Sequence, residues 1–201
     1  MTRTAEEIAR GLEPARPPLP IPAGERVHVL GAAGSAASAS LLLAAVAGAA
    51  TSGCDAGEPT RYSEAVEAAG IPISWHHDPA HVAVAGRPVV DRIAVSKALT
   101  SVDPDHPELA AAHAAGIPAT SCQQLIADAI ATRGGDLLAV AGTHGKSTTT
   151  GWLVHLLVRA GLDPSAFVGA ILPPELTGGA PSVVRLGQGR ATIVEADEYA
   201  G

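Results

Sequence analysis

The residues best placed by type and spacing to do chemistry are Gly142, Thr143, His144, Gly145, Lys146, Ser147 and Thr148, which are contiguous. An apolar run at residues 137–141, read as a fully buried strand, precedes them, and a helical stretch from 146 to 160 follows. Backbone N–H groups of such a strand-to-helix turn converge with the open helix N-terminus on one point and favour an anion there. Gly142 and Gly145 let the backbone approach phosphates with no Cβ in the way. Lys146 would reach the β- and γ-phosphates, and the Ser147 hydroxyl would sit on Mg²⁺. Val140 stands where the common phosphate loop has its first glycine, so the motif is the shortened GxxGK[ST] form. The pattern predicts ATP and Mg²⁺ as cofactors, with Lys146 as a catalytic residue. His144 has two readings, orienting the γ-phosphate or capping the turn.

A second constellation is Ile193-Val194-Glu195-Ala196-Asp197-Glu198, an apolar strand that ends in carboxylates. Nucleotide-bound Mg²⁺ is usually held by the loop hydroxyl and one or two carboxylates. Glu195, taken as the first residue past the strand, is the preferred ligand beside Ser147; Asp197 and Glu198 are the alternatives. A third is Gly31-Ala32-Ala33-Gly34-Ser35-Ala36 after an apolar run, with Asp55 about 20 residues on. Alanines occupy two of the three glycine positions of a dinucleotide fingerprint, so this turn says nucleotide-like without saying NAD.

These motifs need elements to hold them. Residues 27–30, 50–53, 71–74, 91–95, 117–120, 137–141, 165–168 and 191–194 read as strands. Residues 34–48, 61–69, 107–115, 122–132 and 146–160 read as helices. Such alternation predicts an α/β fold with a mostly parallel sheet and helices on both faces. Residues 1–25 form a leader: 5–12 as a short helix, then prolines 14, 17, 18, 20 and 22 as a stiff spacer. A unit at 26–134 follows, and a second opens at 135 and runs to 201.

Composition narrows the function classes. The chain has 201 residues and a net charge of −7, which argues against a nucleic-acid partner. The longest apolar stretch, residues 36–50, is shorter than a membrane span and contains Ser38, Ser40 and Gly48. Glu6, Glu7 and Glu13 interrupt any signal-peptide pattern. Cys54 and Cys122 lie far apart with no CxxC or Cys/His cluster in sequence, which excludes a zinc module and suits the reduced thiols of a cytoplasmic protein. Only Lys97 and Lys146 are lysines, so the one in the loop stands out.

The Gly-Thr-His-Gly-Lys-Ser loop, together with Glu195-Ala196-Asp197-Glu198, resembles the Mur ligases. Within that family it is most similar to the members that join L-alanine to UDP-N-acetylmuramate, and next to those that attach a murein tripeptide. Ser52-Gly53-Cys54-Asp55, His76-His77, Ser96-Lys97-Ala98-Leu99 and His106-Pro107-Glu108 continue the likeness, while Ser121-Cys122 stands where the family often has Arg-Arg. The resemblance implies a Rossmann-like domain at 26–134 that binds the sugar nucleotide, and the beginning of a P-loop-type ATPase domain from 135. It places sugar-nucleotide contacts at Gly31, Gly34, Ser35, Asp55, His77 and Ser96; for Asp55 and Ser96 a turn-forming role is equally open. It implies ATP-dependent ligation of an amino acid, L-alanine foremost, to the substrate carboxylate through an acyl phosphate. Two other readings remain: a sugar-nucleotide-binding fragment without catalysis, and an NAD-dependent oxidoreductase, which leaves Lys146, Ser147 and Glu195 without a role. The family has three domains, so the sequence reads as an N-terminal fragment. It is silent on oligomeric state.

Overall fold

The structure, a computed structural model, describes residues 10–196. Most of the expected 5–12 helix lies outside these residues, as do Asp197 and Glu198; residues 10–12 form a turn and bend. The fold is α/β with two sheets. The first has five parallel strands in the order β3-β2-β1-β6-β7: β1 (Arg26–Leu30), β2 (Ala50–Cys54), β3 (Ile73–Ser74), β6 (Arg92–Val95) and β7 (Ala119–Ser121). A short antiparallel hairpin, β4 (Ala83–Val84) and β5 (Arg87–Pro88), lies between β3 and β6 in sequence.

Side chains alternate across a strand, and β1 uses both faces. Val27 and Val29 pack into one core cluster with α1 (Ser35–Val46) and α5 (Cys122–Arg133). Leu30 faces the other way, with Ile93 and Val95 of β6 and Leu109 and Ala112 of α4 (Pro107–Ala114). Helices α2 (Glu64–Ala68) and α3 (Lys97–Val102) are short connectors. Every residue of α1 from Ala37 to Ala44 is buried, as expected of a helix that is apolar on all sides. Its alanines and serines allow close approach, and it packs on β2 and α5 and also on the second sheet.

That sheet has the order β10-β9-β11-β8: β8 (Asp136–Val140), β9 (Ser165–Leu172), β10 (Ser182–Arg185) and β11 (Ala191–Glu195). β11 is parallel to both neighbours, while β10 runs antiparallel to β9. Helix α6 (Lys146–Arg159) covers one face, with the single turn α7 (Pro174–Thr177) beside it. Phe167, Val183 and Val184 join the core cluster that holds α1. The apolar core is therefore continuous between the sheets.

Two expectations need correction. The run at 137–141 is not a buried strand: Leu137 and Leu138 are 57% and 41% exposed. Among the described residues β8 pairs only with β11, so its far edge is open. Part of β8 instead lines a cavity of about 420 Å³ against α5, beside Ile126, Ile130 and Phe167.

The proline segment is a strap rather than a spacer. Proline removes N–H donors, and three of the four donors left between the prolines meet one ridge of α5. Arg16 N donates to Gln124 Oε1 (3.0 Å), Leu19 N to Asp128 Oδ1 (3.0 Å) and Ile21 N to Thr132 Oγ1 (2.7 Å). Acceptors four residues apart share one face of a helix, so an extended strap reads them in succession. No helix among the described residues is long and apolar enough to cross a membrane.

Candidate functional site

The phosphate-loop residues join β8 to α6. Gly142 has φ +149° and Gly145, the residue that caps α6, is left-handed at φ +77°. Both positions demand glycine. No side-chain cap hydrogen bond is made at Gly145, the residue before α6, so the helix N-terminus opens on the loop. Gly142, Thr143, His144, Gly145 and Thr148 are exposed; Lys146 and Ser147 are half-buried. Lys146 folds back across the turn, its Nζ donating to Gly142 O at 2.8 Å.

Sheet order brings the carboxylate to this turn. β11 lies beside β8 with Glu195 opposite Val140, so the two strands end together. Glu195 is the last residue of β11 rather than the first beyond it. Its Oε1 accepts from Ser147 Oγ (2.8 Å) and its Oε2 from Gly169 N on β9 (2.7 Å). A Cβ at position 169 would stand 3.1 Å from both carboxylate oxygens, so the carboxylate fills the space a side chain would need. Ser147 and Glu195 thus present hard oxygens beneath an uncapped helix N-terminus. That donor set fits Mg²⁺, which takes few protein ligands and keeps water or phosphate on the rest. Gly169 was missed from sequence, since nothing there shows that β9 flanks β11.

The Gly31 turn repeats the strand–glycine–helix plan at the first sheet. Gly31 is at φ +85°, and a Cβ there would lie 3.3 Å from Ser96 Cβ, so Gly31 and Ser96 are neighbours. Gly34 caps α1 in extended conformation. Ser35 follows, its Oγ buried with no hydrogen-bond partner. Asp55 binds two turns, accepting from Ala33 N at Oδ2 and Gly57 N at Oδ1, both at 2.9 Å. Ser96 caps α3 through Ala98 N. These contacts give both residues a turn-holding role.

His77 sits apart from that turn. Its Nδ1 lies 3.2 Å from Glu108 Oε2 and 3.3 Å from Cys54 Sγ. Glu108 is buried at the start of α4, and its Oε1 also accepts from Asp78 N (3.0 Å) and pairs with His81 Nδ1 (2.7 Å). Burial would raise this carboxyl, but hydrogen bonds from Cys54, Asp78 N and His81 outweigh it and hold the group below its ordinary value. Burial likewise lowers His28 to about 4 and pushes the Cys54 thiol up. In sequence His77 and Glu108 lie apart, with no sign that one carboxylate gathers them.

Comparison with known proteins decides the family. Residues 26–133 match the Mur ligase family, catalytic domain. The chain belongs to the Mur ligase family. The UDP-N-acetylmuramate--L-alanine ligase of Acidothermus cellulolyticus is 39% identical over 90% of this chain and 35% of its own length. That of Deinococcus radiodurans is 40% identical over 73% of this chain and 29% of its own. A solved murein peptide ligase from Psychrobacter arcticus superposes with a TM-score of 0.72 at 28% identity, covering 89% of this chain and 38% of that one. The chain spans about a third of the length of the curated relatives it matches.

Proposed function

We propose that this chain supplies the sugar-nucleotide-binding unit (26–134) and the opening of the ATP-binding unit (135–201) of a cytoplasmic ligase of peptidoglycan precursor synthesis. The reaction joins an amino acid to the carboxylate of UDP-N-acetylmuramate by way of an acyl phosphate. L-Alanine is the preferred amine, on the names of the curated relatives; a murein peptide is the alternative, on the name of the solved neighbour. The observation that carries the reading is the Ser147–Glu195 pair beneath the uncapped N-terminus of α6.

In this reading each group has a defined task. ATP with Mg²⁺ supplies the phosphoryl group that makes the carboxylate reactive. Negative charge spreads over the phosphoryl oxygens during transfer, so fixed donors around them lower the barrier. The α6 amides and Lys146 Nζ are those donors, and Lys146 must leave Gly142 O to reach a phosphate. Ser147 Oγ and Glu195 hold the metal, Gly169 N keeping the carboxylate turned toward the loop. Thr143, His144 and Thr148 lie exposed along the phosphate path. Gly31, Gly34, Ser35, Asp55 and Ser96 form the sugar-nucleotide end, with His77 behind it.

Calorimetric titration of the chain with UDP-N-acetylmuramate, Mg·ATP and NAD tests this. Binding of the first two and not of NAD is expected, and Lys146→Ala should weaken Mg·ATP binding at least tenfold while leaving the sugar nucleotide unaffected. Binding of NAD alone, or Mg·ATP affinity indifferent to Lys146→Ala, overturns the assignment.

A further inference from the structure

Sequence spacing separates the cysteines from the histidines, but folding does not. Cys54 at the end of β2, His28 on β1, His81 in the 3₁₀ turn Pro79–His81 and Glu108 on α4 each offer a donor atom, all within 4.8 Å of one another. Cys54, His28 and Glu108 are buried, and His81 is half-buried. His28 is only 2% exposed. Its Nδ1 is fixed by Ser52 Oγ at 2.8 Å, and its Nε2 is buried with no hydrogen-bond partner. Leaving such an atom unpaired in the interior is costly. A ring anchored through one nitrogen with the other left bare is also the way histidines present themselves to metals.

We propose that Cys54, His28, His81 and Glu108 form a closed four-ligand site for a single Zn²⁺ ion. The donor set selects the ion. One sulfur, two imidazole nitrogens and a carboxylate suit zinc, whereas Mg²⁺ and Ca²⁺ take oxygen. A tetrahedral zinc holds its donors about 3.3–3.8 Å apart, from Zn–N near 2.0–2.1 Å and Zn–S near 2.3 Å. The cluster therefore has to close by at most about 1–1.5 Å at any pair. The interactions that now tie it together are the ones the ion replaces: Cys54 Sγ to Glu108 Oε2 (3.0 Å) and His81 Nδ1 with Glu108 Oε1 (2.7 Å). On binding, Cys54 releases its thiol proton to solvent and ligates as thiolate. Ser52 behind His28, and His77 beside Cys54 and Glu108, become the outer shell. With all four positions filled by protein, the ion is structural: it clamps β1, β2, the 3₁₀ turn and α4 across one face of the first sheet.

The test uses the chain stripped with a chelator and needs no nucleotide. Zn²⁺ is titrated against a chromophoric competitor, and Co²⁺ is added as an optical probe. One tight equivalent is expected, with tetrahedral cobalt bands, a thiolate-to-cobalt charge-transfer band, and a rise in thermal midpoint with Zn²⁺. Cys54→Ser should abolish the charge-transfer band and weaken Zn²⁺ by at least about 100-fold, beyond the 10–100-fold of an outer-shell loss. Cys122→Ser should change neither. If Cys54→Ser fails to fold, His81→Gln, at a half-exposed position, carries the test with the same expected weakening. Absence of a tight equivalent, a charge-transfer band that follows Cys122, or Zn²⁺ affinity unchanged in Cys54→Ser or His81→Gln overturns the proposal.

Discussion

Asp128 is the position where the structure makes its sharpest energetic claim. Its side chain is fully buried on α5 and accepts five hydrogen bonds. Oδ1 takes Arg16, Leu19 N and Gln124 Nε2 at 2.9–3.1 Å; Oδ2 takes Arg16 at 2.7 Å and Arg92 at 2.6 Å. Arg92 is itself buried, with Glu25 as its other partner at 2.8 Å. Asp128→Ala would leave that guanidinium under-compensated and the strap amide of Leu19 unpaired. Removing one member of a buried pair costs about 3–5 kcal/mol, which lowers the urea midpoint by about 1–2 M. Asp128→Asn retains an acceptor but no charge and should recover only about 1 kcal/mol, the worth of one neutral hydrogen bond. Arg16→Ala leaves Asp128 paired with Arg92, and Arg16 is partly exposed, so it should cost about 1 kcal/mol. Urea unfolding of the three variants reads this asymmetry. An Asp128→Ala loss below about 1 kcal/mol, or equal to that of Arg16→Ala, refutes the reasoning.

The same carboxylate sets an acid limit. Burial raises Asp128, but bonds from Arg16, Leu19 N, Arg92 and Gln124 hold it below its ordinary 3.8. Its stabilisation is therefore present above about pH 4 and lost as pH falls through the lower folded value. Thermal midpoints measured from pH 7 to 2 should fall below about pH 4, and Asp128→Asn should flatten that fall. Gly169→Ala probes the metal ligand without replacing it. The backbone there needs no left-handed φ, but the new methyl sits 3.1 Å from the Glu195 oxygens and pushes them off Gly169 N. Weakening a charge-assisted hydrogen bond worth about 1.5–3 kcal/mol should raise the Mg²⁺ concentration for half-maximal ATP binding about 10–100-fold. Calorimetric ATP titrations at graded Mg²⁺ measure it.

What the sequence discloses follows physical periodicity. β1, α1, α5, α6 and β11 lie within a residue or two of their expected places, because each repeats an apolar pattern over four or more residues. The β4–β5 hairpin has two residues per strand and turns through Ala85 and Gly86 at positive φ, too short to carry a period. β10 was missed for a different reason: Ser182–Arg185 is a short edge run, and antiparallel pairing to β9 is a fact of tertiary placement. The 137–141 run announces burial, which depends on neighbours that β8 lacks among the described residues. Likewise the loop glycines and Ser147 are visible as a contiguous motif, whereas the Gly169–Glu195 contact and the grouping around Glu108 exist only once elements far apart in sequence are packed together.

The two glycine turns share one plan and differ in where their carboxylate is held. At the first, Asp55 already places a carboxylate against Ala33 N, so a second anion beside it would meet like charge. The N-terminus of α1 there has no side-chain cap, and the buried Ser35 hydroxyl, a neutral donor and acceptor, has no hydrogen-bond partner. At the second, Glu195, the carboxylate among the described residues there, is turned sideways by Gly169 N, and α6 has no side-chain cap. An anion therefore meets a helix N-terminus without a side-chain cap at either turn, and the carboxylate, held against Ala33 N at the first and against Gly169 N at the second, sets how near it comes.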